Sequence, residues 1–105
     1  MPSDIRLKTN IVPLYDSLDI INSLSGVEYT YKSNGKVQYG LIAQDVEKIL
    51  PKIVDEYHLF ESDATGIKYK TIRYTELIPY LIESIKELTN VVNKQSEEIE
   101  KLKNK

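Results

Sequence analysis

Between residues 78 and 102 the chain repeats apolar side chains at alternating steps of three and four. Ile78, Ile85, Val92 and Ile99 occupy the a positions of a heptad, and Leu81, Leu88, Gln95 and Leu102 the d positions. Three and a half heptads with a single polar break commit this segment to a helix whose narrow apolar stripe has to be covered by another helix. Glu98 falls at g and Lys103 at the next e, the spacing of an interchain ion pair. Leu77, Tyr80 and Ile82 widen the apolar face over the first turns, so residues 75–88 are expected to dock on the chain's own domain. Residues 89–105 carry a narrow stripe with charged flanks, which predicts self-association. Ile or Val at a with Leu at d favours parallel dimers, and a buried Gln95 is a candidate device for register or oligomer state, at some cost in stability. Residue physics alone leans weakly to a dimer.

Ahead of the heptad the pattern predicts a small α+β domain, giving a division at 1–74 and 75–105. Leu14, Leu18, Ile21 and Leu24 follow Pro13 at helical spacing, and Gly26 is placed to stop that helix. Residues 27–32 alternate as a strand, Ser33-Asn34-Gly35 is a turn, and residues 36–39 return. Gly40 opens a segment with Leu41, Ile42, Val46, Ile49 and Leu50 at helical spacing, ended by Pro51. Residues 53–57 and 66–74 read as strands joined by a loop at 61–65. Thr75 is a candidate cap for the last helix, with Pro79 in its first turns. The expected architecture is short helices and small hairpins packed on a long C-terminal helix that forms a parallel coiled coil.

The chain has 105 residues, 41% hydrophobic and 29% charged, which is little apolar material for a self-sufficient core. Part of the apolar surface is therefore expected between subunits. Eight tyrosines against one Phe and no Trp fit a thin core and an interface, where an amphipathic ring is half buried and its hydroxyl stays wet. A net charge of −2 with interspersed signs gives no case for nucleic acid. The absence of cysteine excludes disulfides and thiolate chemistry. No apolar run approaches a membrane span, and residues 1–10 lack the apolar core of a secretion signal. His58 is the only histidine, too little for a zinc site. No metal or cofactor is expected.

Chemistry is suggested by S-D-I-R-L-K at 3–8, which sets a candidate nucleophile, Ser3, five residues before a candidate base, Lys8. A serine hydroxyl needs a base to take its proton. Lysine serves only if burial disfavours its ammonium form, so cleavage would wait for folding and assembly. Five residues place the two side chains on opposite faces of a strand and about 140° apart on an α-helix. Either the chain bends between them or Lys8 acts on Ser3 of a neighbouring subunit. The plain structural reading makes Ser3-Asp4 a turn or cap and Lys8 a solvated charge. Spacing leaves Asp4 and His58 open as other partners of Ser3.

Three blocks carry a resemblance: S-D-I-R-L-K at 3–8, Y-G-L-I-A-Q-D-V-E at 39–47 followed by Pro51, and Y-T-E-L-I-P-Y-L-I-E-S-I-K-E-L at 74–88. In these the chain resembles the endosialidase-type C-terminal intramolecular chaperone domains of bacteriophage tail spikes and fibres, to which the chaperone domain of the myelin regulatory factor family is related. The resemblance implies a homotrimer, which overrides the dimer lean, with the heptad residues as its interface. It implies an upstream fibre or spike polypeptide as partner, brought into register and then released by serine–lysine autoproteolysis. Carried over, Ser3 is the nucleophile, Lys8 the base and Pro2–Ser3 the scissile bond. Asp4 and Arg6 support the turn, while Gly40, Gln44 and Asp45 pack the short helix and satisfy buried polar groups. The implied setting is the host cytoplasm during virion assembly, with no nucleic acid or membrane as partner. Only Met1 and Pro2 precede the motif, so the chain is expected to be an excised piece with an added start methionine, a separately made chaperone being the alternative. Proline before the scissile bond is expected to slow cutting. Two other readings stay open: a non-catalytic trimerisation module, and the chaperone of a membrane-tethered transcription factor.

Overall fold

The computed structural model describes residues 1–59 and 65–105. After a 3-10 turn at Ile5–Leu7, the elements are helix α1 (Ser17–Asn22), strands β1 (Val27–Thr30) and β2 (Val37–Gly40), and helix α2 (Ala43–Ile49). A second 3-10 turn at Pro51–Ile53, strands β3 (Val54–His58) and β4 (Lys68–Ile72), a third 3-10 turn at Tyr74–Glu76 and helix α3 (Leu77–Lys103) complete the chain. The fold is α+β, with two antiparallel hairpins and short helices packed against the first turns of the long α3.

In the first hairpin Val27 faces Gly40 and Thr30 faces Val37. Its strand stops short of the expected 27–32 because Tyr31 closes the turn, accepting from the Gly35 amide at 2.9 Å and donating to Lys36. Gly35 takes φ 68°, which glycine adopts without steric cost. The second hairpin pairs Val54 with Ile72 and His58 with Lys68. The loop expected at 61–65 lies, apart from Thr65, outside the described residues.

The helix expected from Pro13 is delayed to Ser17, because Asp16 takes a left-handed conformation at φ 56° that no helix continues. Asp16 makes no side-chain cap. Instead Glu87 reaches across from α3 and accepts from the Leu18 amide at 2.6 Å, satisfying one of the orphan donors of the first turn. The helix closes on Ser23, whose hydroxyl donates to the Asp19 carbonyl at 2.9 Å, before Gly26 is reached. Thr75 does not cap α3. It sits inside the 3-10 turn, and Glu76 leads into the helix without a side-chain cap. Pro79 is the third residue of α3, where its missing amide costs nothing.

The core is small: Val46, Leu50, Ile53 and Leu77 are buried, with Ile20, Leu24, Leu41, Ile49, Val54, Ile72 and Tyr80 around them. Ser17 and Ser84 are buried polar residues of α1 and α3, and Ser84 returns its hydroxyl to the Tyr80 carbonyl at 2.6 Å. Leu77 and Tyr80 take part in docking as expected. Ile82 does not: it is 53% exposed, since helical geometry turns it about 140–160° away from Leu77, Tyr80, Ser84 and Glu87.

Gly40 is a close-approach position. A Cβ there would stand 2.6 Å from the Tyr74 hydroxyl and 3.4 Å from a Tyr29 ring carbon. The Tyr74 hydroxyl accepts from the Leu41 amide at 3.0 Å, with the Leu41 carbonyl 3.4 Å away to accept in turn. It thereby ties the β2–α2 junction to the entrance of α3. Gly40→Ala is expected to destabilise the fold by about 1–3 kcal/mol, read as a lower urea midpoint, because the added carbon displaces that hydroxyl.

The radius of gyration is 19.8 Å, against about 13 Å for a compact chain of this length. The excess comes from α3, whose 27 residues extend about 40 Å. From residue 88 onward every residue is exposed.

Candidate active site

The motif at 3–8 folds on its own local chemistry. Asp4 caps the 3-10 turn, accepting from the Arg6 amide at 2.8 Å through Oδ1. The turn closes with Leu7 donating to the Asp4 carbonyl and Lys8 to Ile5. The Arg6 side chain then folds back on the same carboxylate, Nε to Oδ1 at 3.1 Å and Nη2 to Oδ2 at 2.8 Å, a two-pronged clasp of the kind a planar guanidinium makes best. That clasp holds the Asp4 carboxyl below the ordinary carboxylate range and raises Arg6 in turn. The sign follows: the ionised clasp is complete above the ordinary value of 3.8 and is lost as pH falls through the lowered folded value.

The bend brings Lys8 Nζ to 2.8 Å from Ser3 Oγ within one chain. Of the groups that spacing left open, Lys8 is the one that reaches the hydroxyl, while Asp4 is taken up by Arg6. In this contact Lys8 donates to Ser3. Catalysis through it would require the reverse, a neutral amine that accepts the Ser3 proton. Burial is what drives an amine toward that state, yet residues 1–13 are all exposed in the single chain. Ile5 and Leu7, in the turn between Ser3 and Lys8, are 73% and 72% exposed.

Gly40 stands at the Tyr74 contact described above. Gln44 and Asp45 are exposed on the first turn of α2, which corrects the expectation that they satisfy buried polar groups. Val46 and Leu50 are the buried α2 face, so the two preceding positions are turned out. Tyr74 ties the β2–α2 junction to α3 and Glu87 ties α1 to α3, and neither role was singled out by sequence reasoning, since their partners are backbone amides 33 and 69 residues away. The tyrosine bias shows in a cleft between the hairpins that includes Tyr29, Tyr31, Tyr57 and Tyr74. There Tyr29 and Tyr31 meet edge to face at 5.2 Å, and hydrogen bonding to Tyr31 pushes the Tyr29 hydroxyl up to about 12.

The heptad positions of α3 have no cover in the single chain. Ile78, Leu81, Ile85, Leu88, Val92, Ile99 and Leu102 range from 45% exposed at Leu81 to 65% at Ile85, and Gln95 is exposed among them. Glu98 lies within its own helix 3.8 Å from Lys101. Among the described residues no helix is long and apolar enough to cross a membrane.

Comparison with known proteins fits this picture. The peptidase family described as chaperone of endosialidase matches residues 3–55, from the S-D-I-R-L-K turn through the start of β3. The chain belongs to that family. It is 34% identical over 92 residues to the long tail fiber protein Gp37 of Enterobacteria phage K3, and equally to that of Enterobacteria phage T2; each match covers 83% of this chain and 7% of the relative. With the Gp37 of Salmonella phage S16 it shares 29% identity over 107 residues, covering 86% of this chain and 14% of the relative. The chain therefore spans only a small fraction of the length of these relatives.

Proposed function

We propose that this chain is a self-releasing assembly chaperone of a phage tail fibre, with residues 75–105 serving to trimerise and residues 1–74 to cut. The observation that carries the reading is the 2.8 Å contact between Lys8 Nζ and Ser3 Oγ. The family assignment and the tail-fibre relatives support it; the client in this reading is a fibre polypeptide of the same precursor, on a virion tail assembled in the host cytoplasm. Three long strands pair in register more readily when their ends are held together, because the tether raises their effective concentration and shortens the time spent as sticky intermediates.

The chemistry follows from the geometry. Assembly covers the exposed arm and strips water from Lys8, which gives up its proton. The neutral amine takes the Ser3 hydroxyl proton as Oγ attacks the Pro2 carbonyl carbon. Collapse of the tetrahedral adduct breaks the carbon–nitrogen bond. The proton returns to the departing Ser3 amine, leaving a Pro2 ester on Oγ. Lys8 then activates a water that hydrolyses the ester, giving a Pro2 carboxylate and a free Ser3. No group from outside the chain except water is consumed.

The test is a precursor carrying natural upstream sequence, followed on a denaturing gel. Cleavage at Pro2–Ser3 in the oligomeric fraction is the expected result; an oligomer that stays intact leaves only the non-catalytic module. In the same assay Asp4→Ala should slow cleavage about tenfold without preventing assembly, since loss of a capping residue costs about 1–2 kcal/mol of turn stability.

A further inference from the structure

Two apolar residues on the α3 surface lie outside both the core and the a/d stripe, Val91 at a g position and Ile82, and Ile82 stands at the height of the chain's own domain. Ile82 is 53% exposed and occupies an e position, where the later e residues are Thr89, Ser96 and Lys103. The chain's own domain sits on the opposite side of the helix. Leu77 and Ser84 at g and Tyr80 and Glu87 at c are its buried or half-buried contacts, each about 140–160° around the axis from Ile82. The domain thus stacks on the c/g flank and leaves the e flank bare at the same height.

In a parallel bundle the e flank of each helix faces the g flank of the next. With three copies in register, the e flank at Ile82 meets the very side on which the neighbour carries α1. That helix has an apolar row to offer. Leu14 just ahead of it, and Leu18 and Ile21 within it, recur at helical spacing and are each only half buried. Glu87, capping Leu18, sets this row little more than a turn from the height of Ile82.

We infer that Ile82 of each copy packs on α1 of the adjacent copy, forming an apolar belt outside the coiled-coil seam. The contact is heterologous, Ile82 to α1 and never Ile82 to Ile82, so it closes only as a ring. It rests on the self-association proposed above, and it adds a consequence. The arm bearing Ser3 and Lys8 leads through residues 9–16 into α1, so the belt clamps the element from which the arm hangs only when the neighbour is present.

The cysteine-free chain permits a direct test. The double variant Leu18→Cys with Ile82→Cys, and a second pair of Ile21→Cys with Ile82→Cys, are oxidised and run without reductant under denaturing conditions. A link within one chain is excluded, because the two sites lie on opposite sides of a helix about 10 Å across while a disulfide spans less than about 7 Å between Cα atoms. Covalent dimers and trimers from the double variants, absent from each single variant, are the expected result. Ile82→Glu, which touches nothing in the single chain's core, should raise the concentration of half-assembly about tenfold or more. An oligomer by sedimentation that gives only monomer bands, and that tolerates Ile82→Glu, overturns the belt while leaving self-association intact. An unmodified chain that sediments as a monomer at every concentration overturns both.

Discussion

Ser3→Ala in an upstream-extended precursor is expected to abolish self-cleavage, by about a thousandfold or more, while the oligomer forms as before. The alanine removes the hydroxyl oxygen that stands 2.8 Å from Lys8 Nζ, and the Asp4–Arg6 clasp that shapes the turn does not use that atom. Lys8→Arg is the more discriminating variant. A guanidinium keeps the positive charge and can still donate to Ser3, but it does not give up its proton in proteins. If Lys8 merely held the turn, arginine would serve and cleavage would persist. If Lys8 is the base, arginine is as dead as alanine. Mass spectrometry of the precursor over hours reads both variants. Wild-type cleavage by Lys8→Arg would remove lysine from the mechanism and reopen His58 as partner.

The turn was legible in S-D-I-R-L-K only as a constraint. Odd spacing requires a bend, and the letters do not say whether the bend or a second subunit brings the groups together. The answer lay in a local rule, since an aspartate at the start of a tight turn caps it and an arginine two residues on closes over the same carboxylate. The hairpins were readable because Asn34-Gly35 fixes its own turn and alternation fixes the faces. Their ends were not, because closing the turn consumed Tyr31. The false start at Pro13 has the same kind of cause: Leu14, Leu18 and Ile21 have helical spacing, but spacing does not reveal that Asp16 adopts a left-handed conformation. Long-range ties were invisible for a different reason. Glu87 on the Leu18 amide and Tyr74 over Gly40 join positions remote in sequence, and a single chain offers no periodic signal for such a pair. Ile82 shows the limit of counting apolar residues on a helix, because its place on the wheel, not its hydrophobicity, decides which partner it can meet.

The paired substitution Ile85→Glu and Val92→Glu is expected to eliminate self-association, and cleavage with it, although neither residue belongs to the turn that joins Ser3 to Lys8. Both a positions are at least half exposed in the single chain, and α3 holds its own domain through Leu77, Tyr80, Ser84 and Glu87 instead. The folded unit should therefore survive, with unchanged helix content by circular dichroism at low concentration. Each lost aliphatic contact forfeits about 1.5–3 kcal/mol, and the bundle would have to bury glutamates side by side, so sedimentation should report monomer where the parent chain is assembled. Gln95→Leu works in the opposite sense, removing a buried amide from the seam and strengthening assembly at the expense of register. The decisive comparison is cleavage against oligomer fraction across these variants. If the rate tracks assembly, the exposed Lys8 arm is being dried by its neighbours, as the mechanism demands. If the monomeric double variant cuts itself as fast as the parent, the 2.8 Å contact suffices within one chain, and assembly is no part of the trigger.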